Sequence, residues 1–347
     1  MENYMYPSCP KQNAAPLATP RFPRCLPAFA TLAAAASMAA LAGCASLADP
    51  ARHGATTSRP LQDAAEVTLF AAGDIAQCGK EPASKSGAAR TAAMVEKGIA
   101  ASPDAVVLAL GDTTYPSGLP AEFTDCYGPT WGRFKDRTLP APGNHEYRTP
   151  GAAGYFGYFG ALAGPDQRGY YSRTVGMWHV VSLNSNLRPP ASEAQVAWLR
   201  EDLAQLRRSD PKACVLAFWH HPFYSSGGHG NNMHMRGVWQ TLLDARADVV
   251  LSGHDHDYER FGPQDANANI DTRAGLRQFV VGNGGAELSP YGPTKPHSAA
   301  QDNSSHGVIR MVLKPDGYEW AFMSVDGGAP RDVGHAACNG AQITSSK

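Results

Sequence analysis

The chain has 347 residues, of which 43% are hydrophobic and 18% are charged. This composition is typical of a folded protein with a sizeable core, and it excludes general disorder. A net charge of −1 gives no electrostatic basis for binding a nucleic-acid polymer or for coating an anionic membrane. The length corresponds to one large domain or two small ones.

The N-terminal segment has the pattern of an export signal. Residues 1–25 carry three basic residues and one acid, and an uncharged apolar run follows at 26–42. The run is short for a permanent membrane span and has the length of a signal-peptide core. It ends at Leu41-Ala42-Gly43-Cys44, which resembles the lipobox of bacterial lipoproteins. An ordinary signal peptide with an incidental Cys44 is the alternative.

These patterns predict the domain organisation. We expect residues 1–43 to be a lipoprotein-type signal peptide and the small, polar residues 44–65 to be a flexible tether. Residues 66–335 would form a single folded domain, and residues 336–347 a C-terminal tail. The protein would then be exported and anchored to the bacterial cell envelope through Cys44, or be periplasmic or extracellular if Cys44 is not lipidated.

Export would place the cysteines in an oxidising compartment, where disulfides are permitted. With Cys44 lipidated, four cysteines remain after the signal, and three pairings are possible. We favour the pair Cys78 and Cys126, because both lie a few residues beyond a predicted strand end. Cys214 lies inside an apolar run and is expected to be a buried thiol, while Cys338 has no assigned partner.

Seven short apolar runs recur after residue 66, and continuous runs of this kind predict strands that are buried on both faces. Helical patterns lie between several of them, so the chain is expected to form a layered α/β fold. In the second helix Ser192 and Gln195 match a capping box, and residues 308–323 predict a hairpin. The predicted strands are 67–74, 105–112, 138–145, 179–185, 214–221, 248–255 and 278–285, and the predicted helices are 87–101, 192–208 and 234–246.

Polar residues follow these strands at the end where α/β sheets bind ligands. Each of them has an ordinary explanation as a turn, a helix cap or a surface histidine, but their joint occurrence at successive strand ends indicates a metal site. His254 and His256 are the strongest pair, because residues i and i+2 of an extended segment point the same way. The candidates are Asp74, Asp112, Tyr115, Asn144, His145, His220, His221, His254 and His256.

A pair of metal ions would account for this set. Asp112 is the natural bridge, with Asp74, Tyr115 and His256 at one ion and with Asn144, His220 and His254 at the other. Oxygen and imidazole donors without thiolate suit iron, manganese or zinc. Coordination by Tyr115 requires a phenolate and therefore favours Fe(III) at its site. The second site would take Zn, Mn or Fe(II).

The same residues occur in the order and spacing of the calcineurin-like metallophosphoesterases. The pattern is similar to the purple acid phosphatases in particular, because Ala76 stands where many members carry a ligand histidine and Tyr115 supplies a replacement. The resemblance covers residues 66–323 and is to the compact bacterial type. It implies a four-layer α/β/β/α sandwich (α+β in some schemes) with a dimetal site at one edge and the ligand sets given above.

The resemblance also implies the reaction, which is hydrolysis of a small phosphorylated substrate, as in acid phosphatases, by metal-bound hydroxide. His145 is the expected general acid, and the resemblance places His229 at the substrate phosphate. His221 either supports a ligand or is simply packed. Glu146, Asp255 and Asp257 are candidates to orient the ligand imidazoles.

Other readings of the sequence stay open at this point. The same superfamily contains phosphodiesterases and nucleotide-processing enzymes, and the preference for monoesters or diesters is not readable from the motifs. A catalytically inactive envelope lipoprotein that binds metal or phosphate, or a cell-wall interaction protein with a vestigial site, is a further alternative. The metallo-β-lactamase signature is disfavoured, because Asp257 directly follows His256 and an Asp-His pair is missing after it.

Overall fold

The computed structural model describes residues 66–340, which contain fifteen β-strands. The strands are β1 (Val67–Ala72), β2 (Ala76–Gln77), β3 (Val106–Leu110), β4 (Thr114–Tyr115), β5 (Thr138–Ala141), β6 (Tyr171–Val175), β7 (Trp178–Ser182), β8 (Cys214–Phe218), β9 (Val249–Ser252), β10 (Tyr258–Phe261), β11 (Arg277–Val281), β12 (Ser298–Asp302), β13 (Gly307–Lys314), β14 (Gly317–Ser324) and β15 (Asp332–Ala337).

Five α-helices and several short helical turns connect these strands within the described residues. The helices are α1 (Gly87–Ala101), α2 (Pro120–Glu122), α3 (Ala153–Phe159), α4 (Ala191–Ser209) and α5 (Arg236–Asp244). A π-helical turn, Phe123–Tyr127, continues α2. The 3₁₀ turns are Ala83–Lys85, Trp131–Arg137, Glu146–Arg148, Pro150–Ala152, Gly160–Ala163, Pro165–Gln167 and Met233–Met235.

The strands form two large sheets and a short ribbon. The first sheet has six strands in the order β15-β14-β13-β1-β3-β5, and the second has seven in the order β12-β10-β11-β9-β8-β7-β6. Strands β1, β3 and β5 run parallel, as do β7, β8, β9 and β11. Strands β2 and β4 form a separate parallel pair. The carboxyl ends of both parallel sets are therefore available to build one site.

Side chains of β8 show how the two sheets form layers. Cys214, Leu216 and Phe218 belong to the core between the sheets. Val215 and Ala217 alternate with them and pack with residues of α4 and α5 on the other face of the second sheet. Helix α1 lies on the outer side of the first sheet, where Gly98 is close to the Phe70 ring. The four-layer α/β/β/α arrangement and the two-sided burial of the strands are confirmed.

Each of the seven apolar runs overlaps a strand, and each of the three helical patterns overlaps a helix, with differences at the element ends. The hairpin is confirmed as well, since Lys314 of β13 pairs with Gly317 of β14. The capping box is wrong. Helix α4 has Pro190 at its N-cap, and the Gln195 side chain instead bonds the backbone N–H and C=O of Asn184 at 2.8 and 3.2 Å.

Two disulfides are present in the described residues. The pair Cys78–Cys126 is confirmed. The expectation of a buried Cys214 thiol is wrong, because Cys214 is bonded to Cys338. Cys214 faces the core between the sheets, and the end of β15 brings Cys338 to it.

The described fold passes residue 335, where we expected the domain to end, because β15 runs to Ala337 and is followed by the disulfide-bonded Cys338. The predicted signal peptide, the tether and the end of the tail from residue 341 lie outside the described residues. Between residues 66 and 340, no helix has the length and hydropathy needed to cross a membrane.

Candidate metal centre

All seven predicted metal ligands lie at one edge of the two sheets. Asp74 follows β1, Asp112 follows β3, and Asn144 follows β5, so three come from parallel strands of the first sheet. The second sheet contributes three histidines after β8 and β9, and the seventh ligand lies on the β2–β4 ribbon. These four residues are His220, His254, His256 and Tyr115.

One group of donor atoms surrounds the phenol of Tyr115. Its Oη lies 2.6 Å from Asp74 Oδ1, 2.9 Å from His256 Nε2 and 3.2 Å from Asp112 Oδ2. His256 Nε2 is also 3.3 Å from Asp74 Oδ1. The four residues that the sequence assigns to the first ion are thus in mutual contact.

A second group surrounds the imidazole of His220. Its Nε2 lies 3.1 Å from Asn144 Oδ1, 3.2 Å from Asp112 Oδ2 and 3.2 Å from His254 Nδ1. These are the four residues assigned to the second ion. The same oxygen, Asp112 Oδ2, belongs to both groups, which is the arrangement that a bridging carboxylate requires.

Backbone carbonyls fix which ring nitrogen of two histidines faces the site. His220 Nδ1 lies 3.0 Å from Leu110 O, and His256 Nδ1 lies 2.6 Å from Glu287 O. A carbonyl only accepts hydrogen bonds, so each Nδ1 carries a proton. When these rings are neutral, each Nε2 carries a lone pair that points at carboxylate, amide or phenol oxygens. A lone pair and oxygen atoms that face one another in this way are suited to bind a cation between the ring nitrogen and the oxygens.

The charges of the site lead to the same conclusion. Burial disfavours both imidazolium forms, yet neighbouring carboxylates, chiefly Asp112 for His220 and Asp74 for His256, raise the pKa of His220 to about 10 and that of His256 to about 9. Burial and the same two carboxylates raise the pKa of the Tyr115 phenol well above its ordinary value. The site therefore draws in positive charge, and the donor set fits a pair of hard or borderline cations.

The backbone at this edge adopts costly conformations. Asp74, Asp112 and His254 have φ angles of 58°, 45° and 75°, in the left-handed region that residues with a Cβ rarely adopt. Gly143 allows a close approach, because a Cβ there would lie 2.1 Å from Asp112 Oδ1. The strand ends are thus bent so that their side chains converge.

His145 lies beside the shared carboxylate. Its backbone N–H donates to Asp112 Oδ1 at 2.8 Å, and its ring Nδ1 donates to Pro116 O at 2.7 Å. Ring Nε2 is 3.8 Å from Asp112 Oδ2, and the side chain is 15% exposed. Burial lowers the pKa of His145, although the Asp112 carboxylate opposes this. The free ring nitrogen, Nε2, therefore lies on the side of Asp112. We call the partly exposed rim that His145 and His229 form beside the donor groups the mouth of the site.

His229 also lies at this mouth, beside His254, and its side chain is 53% exposed. Its ring is 4.2 Å from that of His254, measured between centroids, and its Nδ1 lies 3.0 Å from Asp255 Oδ1. The hydrogen bond to Asp255 raises the pKa of His229, although partial burial opposes this. The His254 ring also packs against His221, with 4.4 Å between the ring centroids and a tilt of 49°, and thus lies between two imidazoles.

The three acids that we expected to orient ligand imidazoles do not do so. Glu146 is fully buried and accepts hydrogen bonds from the backbone N–H groups of Asp112, Thr113 and Gly143 at 3.0, 2.7 and 2.6 Å. Asp255 contacts His229, which is not among the seven donors. Among the residues that the structure describes, none is a hydrogen-bond partner of the Asp257 carboxyl oxygens, and burial raises the pKa of Asp257 to about 8.

Sequence reasoning missed the groups that position the site. The carbonyls of Leu110 and Glu287 hold His220 and His256. A sequence pattern cannot predict such contacts, because every residue has a backbone carbonyl. Sequence reasoning also missed Arg148, which donates from Nη1 to Pro116 O at 3.1 Å beside His145. Only its place four residues after Asn144 marks it in the sequence.

Comparison with known sequences matches residues 67–258 to the model of the family described as calcineurin-like phosphoesterase. Purple acid phosphatase 22 of Arabidopsis thaliana is 34% identical over 152 residues, which are 41% of this chain and 34% of that protein. An acid phosphatase of Aspergillus ficuum is 38% identical over 94 residues, 27% of this chain and 15% of that protein. The chain spans about a third or less of the length of these curated relatives.

Two solved structures have a similar fold. A purple acid phosphatase from yellow lupin seeds, PPD1, has a TM-score of 0.60 at 20% identity, covering 80% of this chain and 55% of that one. GAP50, the anchor in the inner membrane complex of Plasmodium, has a TM-score of 0.60 at 16% identity, covering 79% of this chain and 90% of that one. At these identities the similarity shows the fold alone.

Proposed function

Since this chain belongs to the calcineurin-like phosphoesterase family, we propose that it is a dinuclear metal-dependent phosphoric ester hydrolase of the acid phosphatase type. Purple acid phosphatases among its relatives support that subtype. The position of Asp112 Oδ2, shared between the Tyr115 group and the His220 group, carries the proposal. Two cations held on either side of one carboxylate suit the two-metal chemistry of phosphate esters.

The two ion sites differ in their donors. Asp74, Tyr115 and His256 would hold one ion with Asp112, and Asn144, His220 and His254 the other. We assign Fe(III) to the first, because the buried Tyr115 phenol would coordinate as the phenolate and ionises only against a strongly Lewis-acidic ion. The second would hold Zn, Mn or Fe(II). When bound, such ions neutralise phosphate charge and make water a better nucleophile.

Protein side chains at the mouth of the site would handle the phosphate and the leaving group. His145 presents Nε2 because Pro116 O holds the other ring N–H, so this nitrogen can donate a proton to the leaving oxygen once the ring is protonated. Burial lowers the pKa of His145, so its protonated form is favoured by acid and by the approach of a phosphate dianion. His229, whose protonated form is favoured by the hydrogen bond to Asp255, would hold a phosphate oxygen.

The proposed substrate is a small phosphorylated molecule, since the net charge of the chain offers no basis for holding a nucleic-acid polymer. We further propose that the protein is exported to the cell envelope and anchored through Cys44. That proposal rests on the sequence pattern at 1–44, outside the described residues.

Hydrolysis assays with the purified, metal-loaded protein test the function. We expect turnover of p-nitrophenyl phosphate at acid pH, and a loss of at least about 100-fold in Asp112→Ala and His254→Ala. The exposed Asp125→Ala is the matched control and should keep full activity. Bis(p-nitrophenyl) phosphate in parallel reports monoester or diester preference. Unchanged turnover in Asp112→Ala, or no turnover of either ester by the loaded wild type, contradicts the proposal.

The visible spectrum tests the assignment of iron to the Tyr115 site. Tyrosinate bound to Fe(III) absorbs in the visible range, so the iron-loaded protein should be coloured and Tyr115→Phe should be colourless. Tyr127→Phe is the control, because Tyr127 is also buried and its hydroxyl has no hydrogen-bond partner among residues 66–340. A colourless protein with two ions would overturn the iron assignment and leave the dinuclear site in place.

A further inference from the structure

Arg148 occupies a position at the mouth of the site that the proposed reaction does not use. It ends the 3₁₀ turn Glu146–Arg148, directly after Asn144 and His145. Its Nη1 donates to Pro116 O at 3.1 Å, and the same carbonyl accepts from His145 Nδ1 at 2.7 Å. The guanidinium therefore lies next to the ring of His145, within reach of whatever leaving group that histidine serves.

The charge of Arg148 is not matched by an acid. Its side chain is exposed, and none of the ion pairs found between residues 66 and 340 includes it. Two other exposed arginines, Arg133 and Arg208, do pair with acids, but exposed Arg188 and Arg200 do not within the same described range. What distinguishes Arg148 is its contact with Pro116 O beside His145. His229, by contrast, has a carboxylate beside it, because its Nδ1 lies 3.0 Å from Asp255 Oδ1.

A count of formal charges shows what Arg148 would add. The proposed trivalent and divalent ions, against two carboxylates and a phenolate, would leave the centre with about two positive charges. The dianion of a single phosphate ester already balances that charge. The guanidinium of Arg148 is therefore in excess for a monophosphate and would match a second anionic group on the substrate.

We propose that Arg148 binds a second phosphate group, so that the preferred substrates carry one phosphate at the metal centre and another on the leaving group. This inference rests on the proposed phosphatase function. A guanidinium is suited to the role, because its planar set of N–H donors binds phosphate oxygens in pairs. Nη1 binds Pro116 O, and within the described part of the chain the other side-chain N–H groups of Arg148 bind nothing, so they are available to the ligand.

Binding of phosphonates that cannot be hydrolysed tests the subsite without turnover. Methylphosphonate and methylenediphosphonate are titrated calorimetrically into the metal-loaded wild type, Arg148→Ala, Arg148→Lys and the control Arg208→Ala. We expect Arg148→Ala to reduce the preference for the diphosphonate about 10-fold, the equivalent of one charge-assisted contact. Arg148→Lys should keep part of the preference, and Arg208→Ala all of it. An undiminished preference in a folded Arg148→Ala overturns the inference.

Kinetics separate this inference from the function on which it rests. The ratio of kcat/KM for fructose 1,6-bisphosphate to that for fructose 1-phosphate should fall about 10-fold in Arg148→Ala. An equal fall for both substrates would make Arg148 a support for His145 and overturn the subsite. If the loaded wild type hydrolyses neither sugar phosphate nor p-nitrophenyl phosphate, the proposed function fails, and the phosphonate titration still decides whether Arg148 binds a second phosphate.

Discussion

Glu146 Oε2 accepts a hydrogen bond from the backbone N–H of Asp112 at 3.0 Å. Glu146 thus holds the backbone of Asp112, whose side chain is shared by both groups of donors. Its other oxygen accepts from the N–H and the hydroxyl of Thr113 at 2.7 and 2.8 Å. Because Glu146 is fully buried, no water can replace it at these donors.

We therefore expect Glu146→Gln to lower both the stability and the metal affinity of the protein. The amide would direct an NH₂ group at backbone donors and leave at least one unsatisfied, at a cost of about 1–3 kcal/mol in the free energy of unfolding. Urea unfolding and metal titration measure the two effects. Exposed Glu201→Gln is the control, and a Glu146→Gln protein as stable as that control would contradict this role.

Gly143→Ala should damage the site through a direct clash. The new Cβ would lie 2.1 Å from Asp112 Oδ1 and 2.3 Å from Asp112 N, so the shared carboxylate must move. We expect metal content to fall in this variant. Gly157→Ala is the matched control in α3, since a Cβ there meets nothing within 4 Å, and it should raise stability by about 0.5–1 kcal/mol. Equal metal content in the two variants would count against the geometry described.

We expect removal of either disulfide to lower stability, but only one of the two removals to lower the metal content. Cys214–Cys338 closes a loop of 124 residues away from the metal centre, whereas Cys78 follows the β2–β4 ribbon that carries Tyr115. We expect Cys214→Ala with Cys338→Ala to lower the free energy of unfolding by about 2–5 kcal/mol and to leave metal content unchanged. Cys78→Ala with Cys126→Ala should lower metal content as well. Identical metal content in both double variants would refute the distinction.

Asp332 should make the fold sensitive to acid. It lies on β15 and accepts hydrogen bonds at 2.7 Å from Tyr258 Oη and from Arg260 Nε on β10, so it joins the two sheets. Burial opposes ionisation, but the hydrogen bonds from Arg260 and Tyr258 hold the pKa of Asp332 below its ordinary 3.8. Unfolding then takes up a proton, so the stability from this carboxylate is present above pH 4 and is lost as the pH falls through its native pKa.

The variant Asp332→Asn tests this effect. It should cost about 2 kcal/mol in the free energy of unfolding at pH 7, because hydrogen bonds to a charged group are lost. The deficit relative to wild type should shrink below pH 4, where the wild-type carboxylate also becomes protonated. Urea unfolding across this pH range measures it, with the exposed Asp125→Asn as control. A deficit independent of pH would mean that the charge of Asp332 is not what stabilises the fold.

Strands and candidate ligands were predictable because their signals are local. The run 214–221 shows why, since its buried β-strand and the histidine that follows are contiguous in sequence. The left-handed backbone at Asp74 and Asp112 also coincides with a local sequence pattern, because each of these residues follows a glycine at the end of a strand.

What sequence reasoning missed depends on contacts between distant segments. Gln195 matches a capping box locally but is held by the backbone of Asn184, which comes from the loop after β7. The local sequence predicts that Cys214 is a core thiol, but in the fold the end of β15 places Cys338 beside it and the two form a disulfide. The role of Glu146 was missed because its partners are backbone N–H groups, which every sequence possesses.

The number of metal ions bound per chain tests the account most directly. Native mass spectrometry with elemental analysis should find two ions in the wild-type protein, and Asp112→Ala should weaken both, because one carboxylate oxygen serves both groups of donors. A wild type that binds a single ion at saturation, or an Asp112→Ala protein that retains two with unchanged affinity, would contradict the shared-carboxylate centre.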